Sequence, residues 1–156
     1  MVQKQSRQTS EMRIVVDTNI VFSAILNSQS LIGQILLYSD KTIKFYSPRF
    51  LQTEIQNHIS KIKKLTNLND SEIYELIDLL YDKINFISEE LIPKETLSIA
   101  DELTKGVDFD DVMFIALALH LKCKLWTGDK LLMKSLQQKG FKRFVTTKEL
   151  KEIQKK

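Results

Sequence analysis

The stretch Met12-Arg13-Ile14-Val15-Val16-Asp17-Thr18-Asn19 decides the fold. Ile14, Val15 and Val16 form a β-branched run without polar alternation, the mark of a strand buried on both faces, and such strands belong to parallel sheets covered by helices. The run ends on an acid, so Asp17 is placed at the carboxyl tip of the first strand. Further apolar runs of this kind lie at Lys41 to Tyr46, Ile84 to Ser88, Lys124 to Thr127 and Phe144 to Thr146. Helical periods fill the spaces between them. Two helical stretches span Ile20 to Tyr38 with a break near Asn27-Ser28-Gln29-Ser30. Ser47-Pro48 reads as an N-cap followed by proline at the first helical position, launching a helix through about Lys64. Ile73, Leu76, Ile77, Leu80 and Tyr81 share one face of the next, Pro93 to Lys105 forms another stopped by Gly106, and Val112 to Leu121 is the most apolar helix of the chain. Lys130 to Lys139 and a basic C-terminal helix capped by Thr147 complete the pattern. Strand and helix alternate throughout, which predicts an α/β fold: a three-layer α/β/α sandwich around a central parallel sheet of about five strands.

Composition sets the outer limits. The chain has 156 residues, 43% hydrophobic and 28% charged, with 4 Gly and 2 Pro. That excludes collagen-like and low-complexity classes, and a chain of this length buries roughly two thirds of its unfolded surface without help from a disulfide or structural metal. Its single cysteine, Cys123, cannot form an internal disulfide or a cysteine-based metal site, so a cytoplasmic, reducing location is expected. No apolar run approaches the roughly 18 residues of a membrane span. Met1 to Ser10 has no apolar core for a signal peptide; residues 1–11 are expected to form a disordered tail and residues 12–156 one domain. The net charge of +3 does not by itself indicate a polyanion partner.

The acids carry the functional information. In a parallel sheet, ligands bind beyond the carboxyl ends of the strands. Asp17 stands at the tip of strand one and Asp129 at that of strand four, Asp110 and Asp111 open the apolar helix, and Glu54 lies within the helix after strand two. Each alone fits a duller role: Asp17, Asp110 and Asp111 as helix caps, Asp129 as a turn residue, Glu54 as a solvated helix residue. Together, at element ends that meet on one side, they form a carboxylate cluster, which a fold keeps mainly when a cation neutralises it. Oxygen-only donors select Mg²⁺ or Mn²⁺ over zinc. Such ions support hydrolysis of a phosphodiester.

The blocks Val15-Val16-Asp17-Thr18-Asn19, Glu54, Asp110-Asp111-Val112-Met113-Phe114-Ile115-Ala116-Leu117-Ala118 and Leu125-Trp126-Thr127-Gly128-Asp129 resemble the PilT N-terminus (PIN) domain nucleases, which include VapC-type toxins. The resemblance spans about Met12 to Leu150. It implies a sheet between helices and cleavage of RNA, single-stranded or structured, with Mg²⁺ or Mn²⁺ as cofactor. Carried over by motif, Asp17, Glu54, Asp111 and Asp129 are the metal-coordinating catalytic acids. Asp110 falls in the supporting shell, whether it or Asp108 joins the metal site is left open, and Glu72, Glu75 and Asp78 are alternatives to Glu54. Thr18 and Asn19 match a supporting shell that orients the first carboxylate, and Thr127 a common hydroxyl in the fourth-strand block. Lys61, Lys63 and Lys64, at the end of the Glu54 helix, could hold RNA phosphates, although a lysine-rich helix end is more often solvated. His58 and His120 read as packing or surface residues. For partners, the resemblance implies an antitoxin protein and a homodimer.

Three other readings stay open from the sequence. One is a PIN-fold RNA-processing nuclease without an antitoxin; another is an inert PIN-like binding module. The third is a haloacid-dehalogenase-like phosphatase, which needs a second aspartate two residues after the first; here that position is Asn19.

Overall fold

Five strands, β1 (Met12–Val16), β2 (Ile43–Pro48), β3 (Ile84–Ile87), β4 (Lys124–Trp126) and β5 (Phe144–Val145), form one parallel sheet in the order β3-β2-β1-β4-β5. The computed structural model describes residues 11–107 and 111–154, the last set without the Asp111 side chain. Of the disordered tail expected over residues 1–11, residues 1–10 lie outside the described residues, and Glu11 pairs with Lys44 of β2 at 2.8 Å. β1 runs down the centre, with Val15 opposite Tyr46 on one side and Leu125 on the other. Ile14, Val15 and Val16 are fully buried, as a strand covered on both faces must be.

Helices cover the sheet in the three-layer arrangement. The apolar helix α7 (Asp111–Leu121) lies on β1, β2 and β4, with α6 (Lys94–Leu103) packed against it. A second group, α1 (Thr18–Leu26), α2 (Leu31–Leu37), α3 (Phe50–Asn57), α4 (Ile59–Leu65) and α5 (Asp70–Tyr81), packs around α1 and α2. α8 (Lys130–Gln138) follows β4, and α9 (Thr147–Gln154) closes onto α2. The break between α1 and α2 is held by a close approach: a Cβ added at Gly33 would lie 2.5 Å from the Ser28 carbonyl oxygen, so only glycine fits beneath that turn. No single helix among the described residues is long and apolar enough to cross a membrane.

Two local expectations are corrected. Ser47 and Pro48 do not start a helix; they end β2, where Pro48 pairs with Ile87 and the Ser47 hydroxyl donates to Val16 O at 3.2 Å. The helix begins at Phe50, whose backbone N–H is taken by Glu89 Oε2 at 2.6 Å, a cap supplied from beyond β3. The single helix expected through Lys64 is interrupted at His58 into α3 and α4, while its apolar period continues through Ile55, Ile59 and Ile62.

Candidate active site

The sheet order fixes where a site can form. From β1 the chain proceeds outward through β2 and β3, then returns to the other side of β1 with β4 and β5. The crevice beyond the carboxyl ends of β1 and β4 is therefore the topological switch point of the sheet, the usual place for a ligand in this architecture. Asp17 and Asp129 stand there, one at the exit of each strand.

Both acids are also helix caps, the plainer role expected of Asp17; for Asp129 the cap replaces the turn role expected from Gly128. Asp17 Oδ1 accepts from the Ile20 backbone N–H at 3.0 Å and starts α1. Asp129 Oδ1 accepts from Leu132 N–H at 3.0 Å and starts α8. A cap needs one carboxylate oxygen, which leaves the other for a ligand. Asp17 is only 5% exposed, and burial pushes its carboxyl from 3.8 up to about 6; the Asp129 charge pushes it the same way. Hydrogen bonds from the Thr127 hydroxyl and from the Ile20 and Asn19 backbone N–H groups oppose the rise without cancelling it. Thr127 ties the pair together, since its Oγ1 also accepts the Asp129 backbone N–H at 3.1 Å.

Glu54 reaches the same side from α3. It is half-buried, and the Thr18 hydroxyl donates to its Oε1. The hydroxyl of Thr18 thus serves Glu54, and the one that serves Asp17 is that of Thr127. Asn19 is exposed and contributes its backbone N–H to Asp17. Asp111 opens α7, beside β1 and β4, but its side chain, with all of Asp108 and Asp110, lies outside the described residues. Among the described residues no three His, Cys, Asp or Glu side chains are placed to hold one ion. The described donors still fit a hard cation: they are all oxygens, and neither Asp17 nor Asp129 has an ion-pair partner among the described residues.

The alternatives to Glu54 are placed elsewhere. Glu72 is spent in a capping box with Asn69 at the start of α5, and Glu75 and Asp78 lie further along that helix. The basic end of α4 is partly engaged: Lys61 sits 5.5 Å over the Phe22 ring and Lys63 pairs with Asp70 at 3.1 Å, with Lys64 exposed. His58 packs edge-on against Phe22. Sequence reasoning missed Glu89, the cap of the Glu54 helix; the available signal was an acid just past the carboxyl end of β3.

No curated protein sequence matches the chain. Among solved structures, VapBC2 from Rickettsia felis, bound to a DNA fragment from its promoter, superimposes with a TM-score of 0.67 at 14% identity, covering 86% of this chain and 98% of that one. PAE2754 from Pyrobaculum aerophilum gives 0.65 at 13% identity over 100% and 99% of the two chains, and VapBC-1 from nontypeable Haemophilus influenzae gives 0.59 at 17% over 88% and 99%. These likenesses establish the fold. A family model described as the PIN domain matches residues 15–155, nearly the whole chain, and by that match the protein belongs to the PIN domain family, whose members are generally nucleases.

Proposed function

We propose that the protein is an endoribonuclease dependent on Mg²⁺ or Mn²⁺, acting as the toxin of a toxin–antitoxin pair. The observation that carries this reading is Asp17: a buried carboxyl at the switch point, raised to about 6 by burial and by the Asp129 charge, with Thr127 bonded both to it and to the Asp129 backbone N–H. A fold spends stability on such a pair when a cation is to sit between them. Asp17, Glu54, Asp111 and Asp129 would hold the ion, which supplies a water of lowered pKa and positive charge for the phosphodiester transition state. The chain's own contribution is positioning. The Thr127 hydroxyl and the α1 N–H groups fix Asp17, the α8 N-terminus fixes Asp129, and Thr18 fixes Glu54. A phosphatase of the haloacid-dehalogenase kind is not favoured, because Asn19 stands where the second aspartate is required.

The antitoxin is supported by the fold shared with VapBC2 and VapBC-1. An acidic cleft of this kind is matched by a basic residue on the inhibitor, and a homodimer is proposed as the active form. Cleavage of single-stranded RNA with Mn²⁺ or Mg²⁺, its loss in EDTA, and its loss in Asp17→Asn test the enzymatic reading. Cleavage that survives both treatments rejects the mechanism. Growth arrest on expression, relieved by the product of a neighbouring gene, tests the toxin role; cleavage without arrest leaves an RNA-processing nuclease, and neither leaves a binding module.

A further inference from the structure

The substrate of a ribonuclease extends on both sides of the bond that is cut, so the walls next to the carboxylate pair matter as much as the pair. One such wall is built by α8. Leu132 and Leu136 of α8 are buried, which fixes the rotation of the helix. Lys130, Met133, Lys134 and Gln137 therefore share one side, at the spacing of adjacent turns. They line a cavity of about 380 Å³. Its near end is Thr127 and Gly128, the turn that also orients Asp17 and Asp129. Its far wall is the start of α9, where Thr147 Oγ1 accepts from the Trp126 indole N–H at 3.0 Å and keeps its own hydrogen to donate.

The chemistry of this cavity is mixed in a specific way. Neither lysine has an ion-pair partner among the described residues. Met133 offers a polarizable, half-buried apolar surface between them. Gln137 and the Thr147 hydroxyl offer donors and acceptors. No carboxylate lines the cavity among the described residues; Glu149, in the first turn of α9, accepts the Thr146 backbone N–H at 2.9 Å. Ammonium groups beside an apolar platform and a few polar edges suit a nucleotide: phosphate on the lysines, base against the methionine.

We propose that the cavity between α8 and the start of α9 is the subsite for the RNA nucleotide adjoining the scissile phosphate, with Lys130 and Lys134 holding its phosphates and Met133 packing on its base. This rests on the ribonuclease reading of the Asp17 and Asp129 site and shifts the RNA path from the basic end of α4 to α8. An acidic peptide is the competing occupant. It is disfavoured because Thr127 is common to both sites, so the strand being cut runs on into the cavity by covalent continuity.

The test compares wild type with Lys130→Gln/Lys134→Gln, using a labelled oligouridylate of about ten nucleotides. Binding is read by anisotropy in EDTA over a salt series, and KM and kcat are read with Mn²⁺. The variant should raise KM about tenfold with kcat within about twofold, and the slope of log affinity against log salt should fall by about 0.7 for each phosphate that the lysines no longer neutralise. Lys130→Arg/Lys134→Arg should restore the slope. Lys41→Gln/Lys124→Gln, at the amino edge of the sheet, removes the same charge and should change neither quantity. Unchanged KM and slope in the α8 variant of a protein that cleaves would overturn the subsite alone. Reduced binding by the α8 variant of a protein that never cleaves would reject the nuclease and overturn the subsite's place beside a scissile phosphate, leaving the cavity as an RNA-binding site only. Loss of hexaglutamate binding with oligouridylate binding intact would assign the cavity to an acidic peptide and overturn the proposal.

Discussion

Asp17→Asn should make the metal-free protein more stable at neutral pH, although it removes a hydrogen-bonded, buried residue. The folded chain keeps the Asp17 proton up to about pH 6, whereas its ordinary value is 3.8. Between those values folding takes up a proton, so stability falls as pH rises and the full cost is present by pH 7. At about 1.4 kcal/mol per pH unit that cost is about 3 kcal/mol. Asparagine carries no charge to desolvate, and its amide oxygen still accepts the Ile20 N–H that starts α1. Allowing for a less exact fit against Thr127, the gain should be about 1–3 kcal/mol, or about 2–4 °C in Tm for each kcal/mol. Urea unfolding in EDTA measures it at pH 7.5 and pH 4. The difference should nearly vanish at pH 4, where folded Asp17 is protonated and no longer penalised. Added Mn²⁺ should then stabilise wild type and not the variant. A variant less stable than wild type at pH 7.5, or a difference equal at the two pH values, would refute the reasoning and make Asp17 a structural cap.

Thr127→Val should destabilise the protein by about 1–3 kcal/mol at pH 7.5, since it removes a hydroxyl serving the charged Asp17 and the Asp129 N–H, and by less at pH 4; paired melts at the two pH values check both parts. Gly33→Ala should cost about 1–3 kcal/mol despite the helix preference of alanine, because its Cβ meets the Ser28 carbonyl; a neutral or stabilising effect on the urea midpoint would show that the turn can give way. Cys123 is buried, and burial pushes its thiol up to about 11, so it should resist iodoacetamide at pH 8 in the folded protein and react in urea; mass spectrometry distinguishes the two.

Strand order along the chain and the placement of Asp17 and Asp129 could be read from the sequence because both depend on local signals: a β-branched run, then an acid. What could not be read depends on partners distant in sequence. Ser47-Pro48 has the local form of a helix start, but the Ser47 hydroxyl goes to Val16, 31 residues away, and the Phe50 N–H goes to Glu89, 39 residues away. No window around residue 48 contains either partner. The same holds for Thr18, which sequence assigns to its neighbour Asp17 and the fold gives to Glu54, 36 residues on. The lysines show the limit of composition. Lys61 and Lys63 form the denser cluster, yet an aromatic ring and an aspartate occupy them, while the sparser pair on α8 faces a cavity beside the acids.

The order β3-β2-β1-β4-β5 has a consequence for when activity can arise during synthesis. β1, β2 and β3 can pair as the chain emerges, but Asp17 lacks Thr127 and Asp129 until β4, the fourth strand made, docks on the far side of β1. The paired acids are 112 residues apart in a chain of 156. Bringing them together is a late, non-local event. A nascent or truncated chain ending before Lys124 therefore has Asp17 without its partners and no site. If the site has the activity proposed above, translation itself acts as a timer, because Asp129 joins Asp17 only when synthesis is nearly complete.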